Sequence, residues 1–216
     1  MAKTFAHEEA FRGEDLAERL KGKLVTVCGA GTLGSILIDT LARQEFTSLR
    51  AIDMDRVEQH NVNTQIYGLD ENGKMKVAAL MARVYRDTRV RIDTVNKELT
   101  QSNVKKNLKG SDLVIDVFDN RASRLIVRNH CRQNNIPCLH GGMFEGYGEV
   151  VWDKEYTVPA DPPIDAQDVC DYPLARNLAT AVVSIIAEET MNFALDEKER
   201  RSWSFTLGDL AIRRYR

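Results

Sequence analysis

The sequence predicts an α/β fold with a doubly wound, mainly parallel sheet in three layers. Three observations carry this. Short apolar runs bounded by turn residues alternate along the chain with segments of helical periodicity. One of these runs, Leu24–Cys28, leads straight into the glycine turn Gly29-Ala30-Gly31-Thr32-Leu33-Gly34. A helical pattern (Ile36, Leu37, Leu41) and a second run, Leu49-Arg50-Ala51-Ile52, then end on Asp53. Strand, glycine turn, helix, strand and acid in this register read as a nucleotide-binding βαβ unit.

The elements follow in order. Glu8–Leu20 has Phe11, Leu16 and Leu20 on one face and reads as a short charged helix ending near Gly22. In the βαβ unit, one glycine permits the tight turn, one lets a phosphate approach the backbone, and one lets helix and strand pack closely. The helix start offers unpaired N–H groups and a positive dipole end to an anion. Asn72-Gly73 precedes a helix over Lys74–Tyr85, marked by Val77, Leu80, Met81 and Val84. Val90–Val95 alternates as a strand does, Thr100–Leu108 is a short helix, and Leu113–Val117 a buried strand. A helix over Ala122–Gln133 ends at Asn134-Asn135, and strands begin at Ile136 and over Gly146–Trp152. Thr157–Pro173 holds Pro159, Pro162, Pro163 and Pro173 and so forms no regular helix or central strand. Leu178–Phe193 is a long apolar helix, and Trp203–Leu207 a last strand.

Composition bounds the function classes. The 216 residues suit one domain, 1–216, with 1–22 as an N-terminal helical segment. At 43% hydrophobic and 29% charged residues, the composition is that of an ordinary soluble protein. A net charge of −2 gives no electrostatic case for nucleic acid or an anionic membrane. No apolar run has the roughly 18 residues of a membrane span, and the start carries no secretory pattern. Cys28, Cys131, Cys138 and Cys170 form no CxxC pair, so no tetrahedral sulfur site for zinc is expected. Reduced thiols and a cytoplasmic location are the expectation.

The acids refine the nucleotide reading. Asp53-Met54-Asp55 runs on to Asn61-Val62-Asn63-Thr64-Gln65; Lys74 and Lys76 follow, then Asp116-Val117-Phe118-Asp119-Asn120. The set Gly29/Gly31/Gly34, Asp53/Asp55, Asn61 to Gln65, Lys76 and Asp116/Asp119/Asn120 resembles, in order and spacing, the motifs of the ThiF/MoeB/HesA family. This is the Rossmann-like adenylating fold shared with ubiquitin-activating enzymes. The likeness covers about Leu24 to Asn120, with a weaker continuation to about residue 195.

The resemblance implies an ATP-dependent adenylyltransferase using Mg²⁺. Gly29, Gly31, Thr32, Gly34, Asp53, Asp55, Asn61, Gln65, Lys76, Asp116 and Asn120 would bind the nucleotide, with Asp53 on the ribose and Lys76 on the triphosphate. Asp119 would be the metal-binding catalytic acid and Asp116 its support. The substrate carboxylate would be the C-terminal glycine of a ubiquitin-like or sulfur-carrier protein, and the enzyme a homodimer. Residues 153–173 would be the crossover loop that passes over the reacting carboxylate. Cys170 in that loop would take up the activated acyl group, or is a chance loop cysteine whose reactivity Asp168 and Asp171 depress. Other readings stand beside these. Asp119-Asn120 also suits a helix cap, Lys76 a solvated helix lysine, and Asp55 an organiser of the Asn61 loop. His140 reads as structural, and Arg124 and Arg128 as surface charge. Two functional alternatives remain: a same-fold enzyme acting on a small or tRNA-borne carboxylate, and a catalytically weak pseudoenzyme or heterodimer subunit. The family's loop carries an arginine where this chain has Thr64, so either another cation supplies the charge, with Arg12, Arg56 or His7 the candidates, or adenylation is slow.

Overall fold

In the computed structural model, which describes residues 5–160, 174–197 and 199–215, the chain forms one eight-stranded sheet. Its strands are β1 (Val25–Cys28), β2 (Leu49–Ile52), β3 (Asp93–Val95), β4 (Leu113–Asp116), β5 (Cys138–Phe144), β6 (Tyr147–Trp152), β7 (Trp203–Thr206) and β8 (Ala211–Arg214). The order is β3-β2-β1-β4-β5-β6-β7-β8. The first five are parallel, and β6, β7 and β8 add antiparallel. The expected doubly wound, mainly parallel core is present.

The order places a switch point at β1. The chain runs outward from β1 to β2 and β3, then returns to lay β4 on the other side of β1. Connections leave β1 and β4 in opposite directions, which opens a crevice beyond their carboxyl ends.

Alternate residues of the central strands face opposite layers, as a pleated strand requires. Val25 and Val27 of β1 and Leu113 and Ile115 of β4 belong to one apolar core, with Leu37, Leu41, Leu80, Val182 and Ile186. Those partners lie on α3 (Thr32–Arg43), α4 (Lys76–Thr88) and α7 (Arg176–Ala194). Cys28 and Val114 face a second core with Val104, Val127 and Cys131, on α5 (Val104–Asn107) and α6 (Arg121–Asn134). Each such aliphatic side chain contributes about 1.5–3 kcal/mol by leaving water. The buried thiols Cys28, Cys131 and Cys138 are free.

Four local expectations change. The helix expected over Glu8–Leu20 is two: α1 (Ala6–Arg12) and α2 (Leu16–Leu20). Gly13 separates them at φ +116°, which no helix residue adopts. The strand expected from Val90 is paired only over Asp93–Val95, because Val90 and Ile92 serve as core rather than ladder. The helix expected from Thr100 starts at Val104, since Asn103 Oδ1 accepts the Thr100 N–H and holds a turn there. An eighth strand follows the one expected last; its residues are mostly exposed, so no apolar alternation marks it.

Candidate nucleotide site at the carboxyl ends of β1, β2 and β4

The turn after β1 is held from three sides. A Cβ at position 34 would stand 1.9 Å from the Gly29 carbonyl oxygen, so the start of α3 packs on the turn only with glycine there. Gly29 has φ +104° and lies against the Val117 carbonyl at the end of β4. Gly31 differs: a Cβ there would meet nothing within 4 Å. No neighbour in the described protein demands a glycine at 31, and its backbone stands open to close approach.

Asp53, at the end of β2, fastens the turn. Its Oδ2 accepts the Ala30 N–H at 2.7 Å and its Oδ1 the Asp55 N–H at 2.8 Å. On the other side, Tyr67 donates its hydroxyl to the Ala30 carbonyl at 2.7 Å. Burial pushes the Asp53 carboxyl above its ordinary range, against the opposing pull of Lys76 and the two N–H groups. Each Asp53 oxygen keeps a second lone pair, so the carboxylate remains able to accept a ligand hydroxyl.

Lys76 opens α4. Its side chain is buried and its Nζ lies 3.0 Å from Asp55 Oδ2, while Lys74 is exposed. Asp55 pairs with this lysine and does not organise the Asn61 loop, which is a correction. That loop closes on itself: Asn61 Oδ1 accepts the Glu58 N–H at 2.9 Å, and the Gln65 N–H donates to the Asn61 carbonyl at 2.8 Å. Thr64 in the same loop meets Thr32 of α3, hydroxyl to hydroxyl, at 3.2 Å. The Gln65 Oε1 is buried with no hydrogen-bond partner among the described residues. An orphan of this kind calls for a water or a ligand.

The end of β4 presents two acids in different settings. Asp116 has no exposure; Phe118 N–H donates to its Oδ1 at 3.2 Å, and His140 Nδ1 donates to its Oδ2 at 3.0 Å. A group so enclosed has no face for direct contact with a nucleotide, so Asp116 supports the loop rather than lining the site. Asp119 is exposed, two residues beyond the Val117 carbonyl that abuts Gly29. Asn120 caps α6, its Oδ1 accepting the Ser123 N–H at 2.9 Å, and its amide reaches Asp119 Oδ1 at 3.4 Å. Asn120 is thereby engaged by the helix, and Asp119 is the carboxylate left facing solvent. Among the described residues no group of three or more His, Cys, Asp or Glu forms a metal cage. A hard cation bound mainly through phosphate oxygens and water needs only one or two carboxylates, which a lone exposed Asp119 fits.

Behind Asp116 lies a buried polar chain. His140 stacks on Tyr156 with ring centroids 3.7 Å apart, and its Nε2 lies 3.4 Å from Asp153 Oδ1. Arg124 donates to the Tyr156 hydroxyl at 2.6 Å and to the Gly141 carbonyl at 3.1 Å. Arg124 is therefore not surface charge: the sequence shows an arginine on a helix but not the tyrosine that buries it. The Asp153 carboxyl is held below its ordinary range, because hydrogen bonds from His140 and Arg132 outweigh its partial burial.

Arg12 is paired with Glu8 and Glu188. Arg56 is exposed and donates to the Gly73 carbonyl. Cys170, with most of the 153–173 loop, lies outside the described residues. Tyr67 and Arg176 escaped the sequence reading because neither falls in a motif or a periodic face; Arg176 reaches the Asn63 and Gln65 carbonyls from the start of α7.

A family model described as the ThiF family matches residues 6–211. The SAMP-activating enzyme E1 of Haloferax volcanii is 30% identical over 195 residues, 84% of this chain and 70% of that protein. The sulfur carrier protein adenylyltransferase of Thermus thermophilus is 28% identical over 198 residues, 85% of this chain and 73% of that protein. Among solved structures, E. coli MccB with MccA-N7isoASN superposes with a TM-score of 0.84 at 14% identity, over 100% of this chain and 72% of that one. At that identity the likeness speaks for the fold.

Proposed function

The chain belongs to the ThiF family, and on that premise we propose that it is an ATP-dependent adenylyltransferase that activates a carboxylate. The C-terminal glycine of a ubiquitin-like or sulfur-carrier protein is the substrate we assign. One observation carries the reading: the open backbone at Gly31, the buried Lys76 paired with Asp55 and the exposed Asp119 gather at the carboxyl ends of β1, β2 and β4. That edge is where open α/β sheets bind ligands.

The carboxylate is ionised at neutral pH and needs no general base. It attacks the α-phosphorus of ATP; the bond to the bridging oxygen breaks, pyrophosphate leaves, and an acyl-adenylate remains. The protein aligns the reactants and offsets developing charge. Backbone N–H groups at the start of α3 and the Lys76 ammonium face the phosphates, and Asp53 accepts from the ribose while holding the turn. Asp119 would hold magnesium, which when bound neutralises phosphate charge. The Asp116–His140 pair keeps the Asp119 loop in place. Carrier proteins named in relatives, including that of the Thermus thermophilus enzyme, support the substrate class. A homodimer is part of the proposal, supported by a first helix that buries no residue within its own chain.

ATP–pyrophosphate exchange with candidate carriers tests the reaction. Asp119→Ala is expected to lose exchange by about 100-fold or more while keeping its thermal melt, in line with the roughly 3–4 kcal/mol lost with one transition-state electrostatic contact. Exchange within a few-fold of wild type would remove Asp119 from the reaction.

A further inference from the structure

We propose that Arg176 binds the phosphates of the nucleotide, supplying from α7 the guanidinium that the Asn61–Gln65 loop itself lacks. The proposal rests on the nucleotide reading of the site given above.

Arg176 is the first residue of α7, far in sequence from every nucleotide motif. Its Nη1 donates to the Gln65 carbonyl at 3.0 Å and to the Asn63 carbonyl at 3.5 Å. These carbonyls flank Thr64, whose hydroxyl is 3.2 Å from that of Thr32 at the start of α3. Thr32 directly follows the open Gly31. The guanidinium is thus one residue removed from the side chain that touches the phosphate-facing turn. Thr64 brings a hydroxyl there and no charge.

Lys76, which also faces the phosphates, is paired with Asp55, and Arg12 is held by Glu8 and Glu188. Arg56, like Arg176, is exposed and gives its Nη1 to a backbone carbonyl, that of Gly73. Arg176 is exposed, and among the described residues no carboxylate pairs with it. Its Nε and Nη2 make no hydrogen bond among those residues, and both contacts use Nη1 alone. Anchored at one nitrogen among the described residues, the guanidinium has the planar fork that matches phosphate oxygens. If Arg176 served only to tie the loop down, a neutral N–H donor of similar reach would do as well. That difference is measurable.

Calorimetric titration with ATP and magnesium, and separately with adenosine, distinguishes the two roles in the full chain. Arg176→Gln keeps a donor for the loop carbonyls and removes the charge. It is expected to weaken ATP binding about tenfold or more, as loss of hydrogen bonds to a charged group does, and to leave adenosine affinity within about twofold. Arg176→Lys, which keeps the charge, is expected to fall between Gln and wild type. Unaltered ATP affinity in Arg176→Gln, or equal loss for ATP and adenosine, overturns the proposal. Wild type that binds neither ligand overturns the nucleotide reading and this proposal with it, so the two failures are distinct.

Discussion

At the scale of single residues, Asp53 stands out because its burial works against its own ionisation while the hydrogen bonds by which it holds the turn favour it. It is 7% exposed, and burial raises its carboxyl above the ordinary value. A carboxyl raised in the folded state contributes stability that is whole below its unfolded value, about 3.9, and is lost as pH rises through the folded value. Asn at this position does not titrate. The stability advantage of wild type over Asp53→Asn is therefore expected to shrink as pH climbs from about 3.9 toward neutrality. Urea unfolding of both proteins across this range checks it; a gap that widens with pH would mean that Lys76 and the two N–H donors outweigh burial. As a carboxylate, Asp53 closes the turn and remains available to a ligand hydroxyl, at a stability cost typical of binding sites.

At the scale of elements, α7 joins the two halves of the sheet. It packs under β5 and β6 so closely that a Cβ at Gly148 would stand 2.2 Å from Val182 Cγ2. Its buried Glu189 accepts the Trp152 indole N–H at 3.0 Å, the Trp203 indole N–H at 2.8 Å and the Arg201 N–H at 3.3 Å. One carboxylate thus ties the helix to β6, to β7 and to the segment before β7. Glutamine offers one acceptor oxygen and turns an amide NH₂ toward a donor. Glu189→Gln is expected to destabilise the fold by about 1–3 kcal/mol, the cost of leaving a buried donor unpaired. Tryptophan fluorescence during urea unfolding reads this directly, since both indoles report on the joint. A change below about 0.5 kcal/mol would show that α7 is held by its apolar face alone.

At the scale of the whole molecule, α1 is a helix that the described chain leaves largely uncovered. It buries none of its residues, and Phe11 is 81% exposed. The Arg12–Glu188 ion pair ties it to α7, and partly exposed pairs of this kind contribute roughly 0–1 kcal/mol. An exposed phenylalanine on so weakly held a helix is explained if a second copy covers it, as the proposed homodimer would. Sedimentation at micromolar concentration is expected to give a dimer, and Phe11→Asp to move the population toward monomer. A wild-type monomer that retains full exchange activity would contradict the dimer. No described helix is long and apolar enough to cross a membrane.

The sequence by itself determined the winding of the sheet and the place of the nucleotide motifs. Strand, glycine turn, helix and acid are local signals: the Gly34 contact lies within one turn, and periods of 2 and 3.6 residues mark buried faces without reference to partners. Only the tertiary structure decided which polar groups meet. It set Asp116 behind the site on His140 and left Asp119 outside, although the two are only three positions apart at and just beyond the end of one strand. It buried Arg124 against Tyr156 and brought Arg176 to the loop around Thr64. These are contacts between residues 32 and 111 positions apart. No periodicity encodes such pairings, because they follow from how α6 and α7 pack on the sheet rather than from any property of the residues alone.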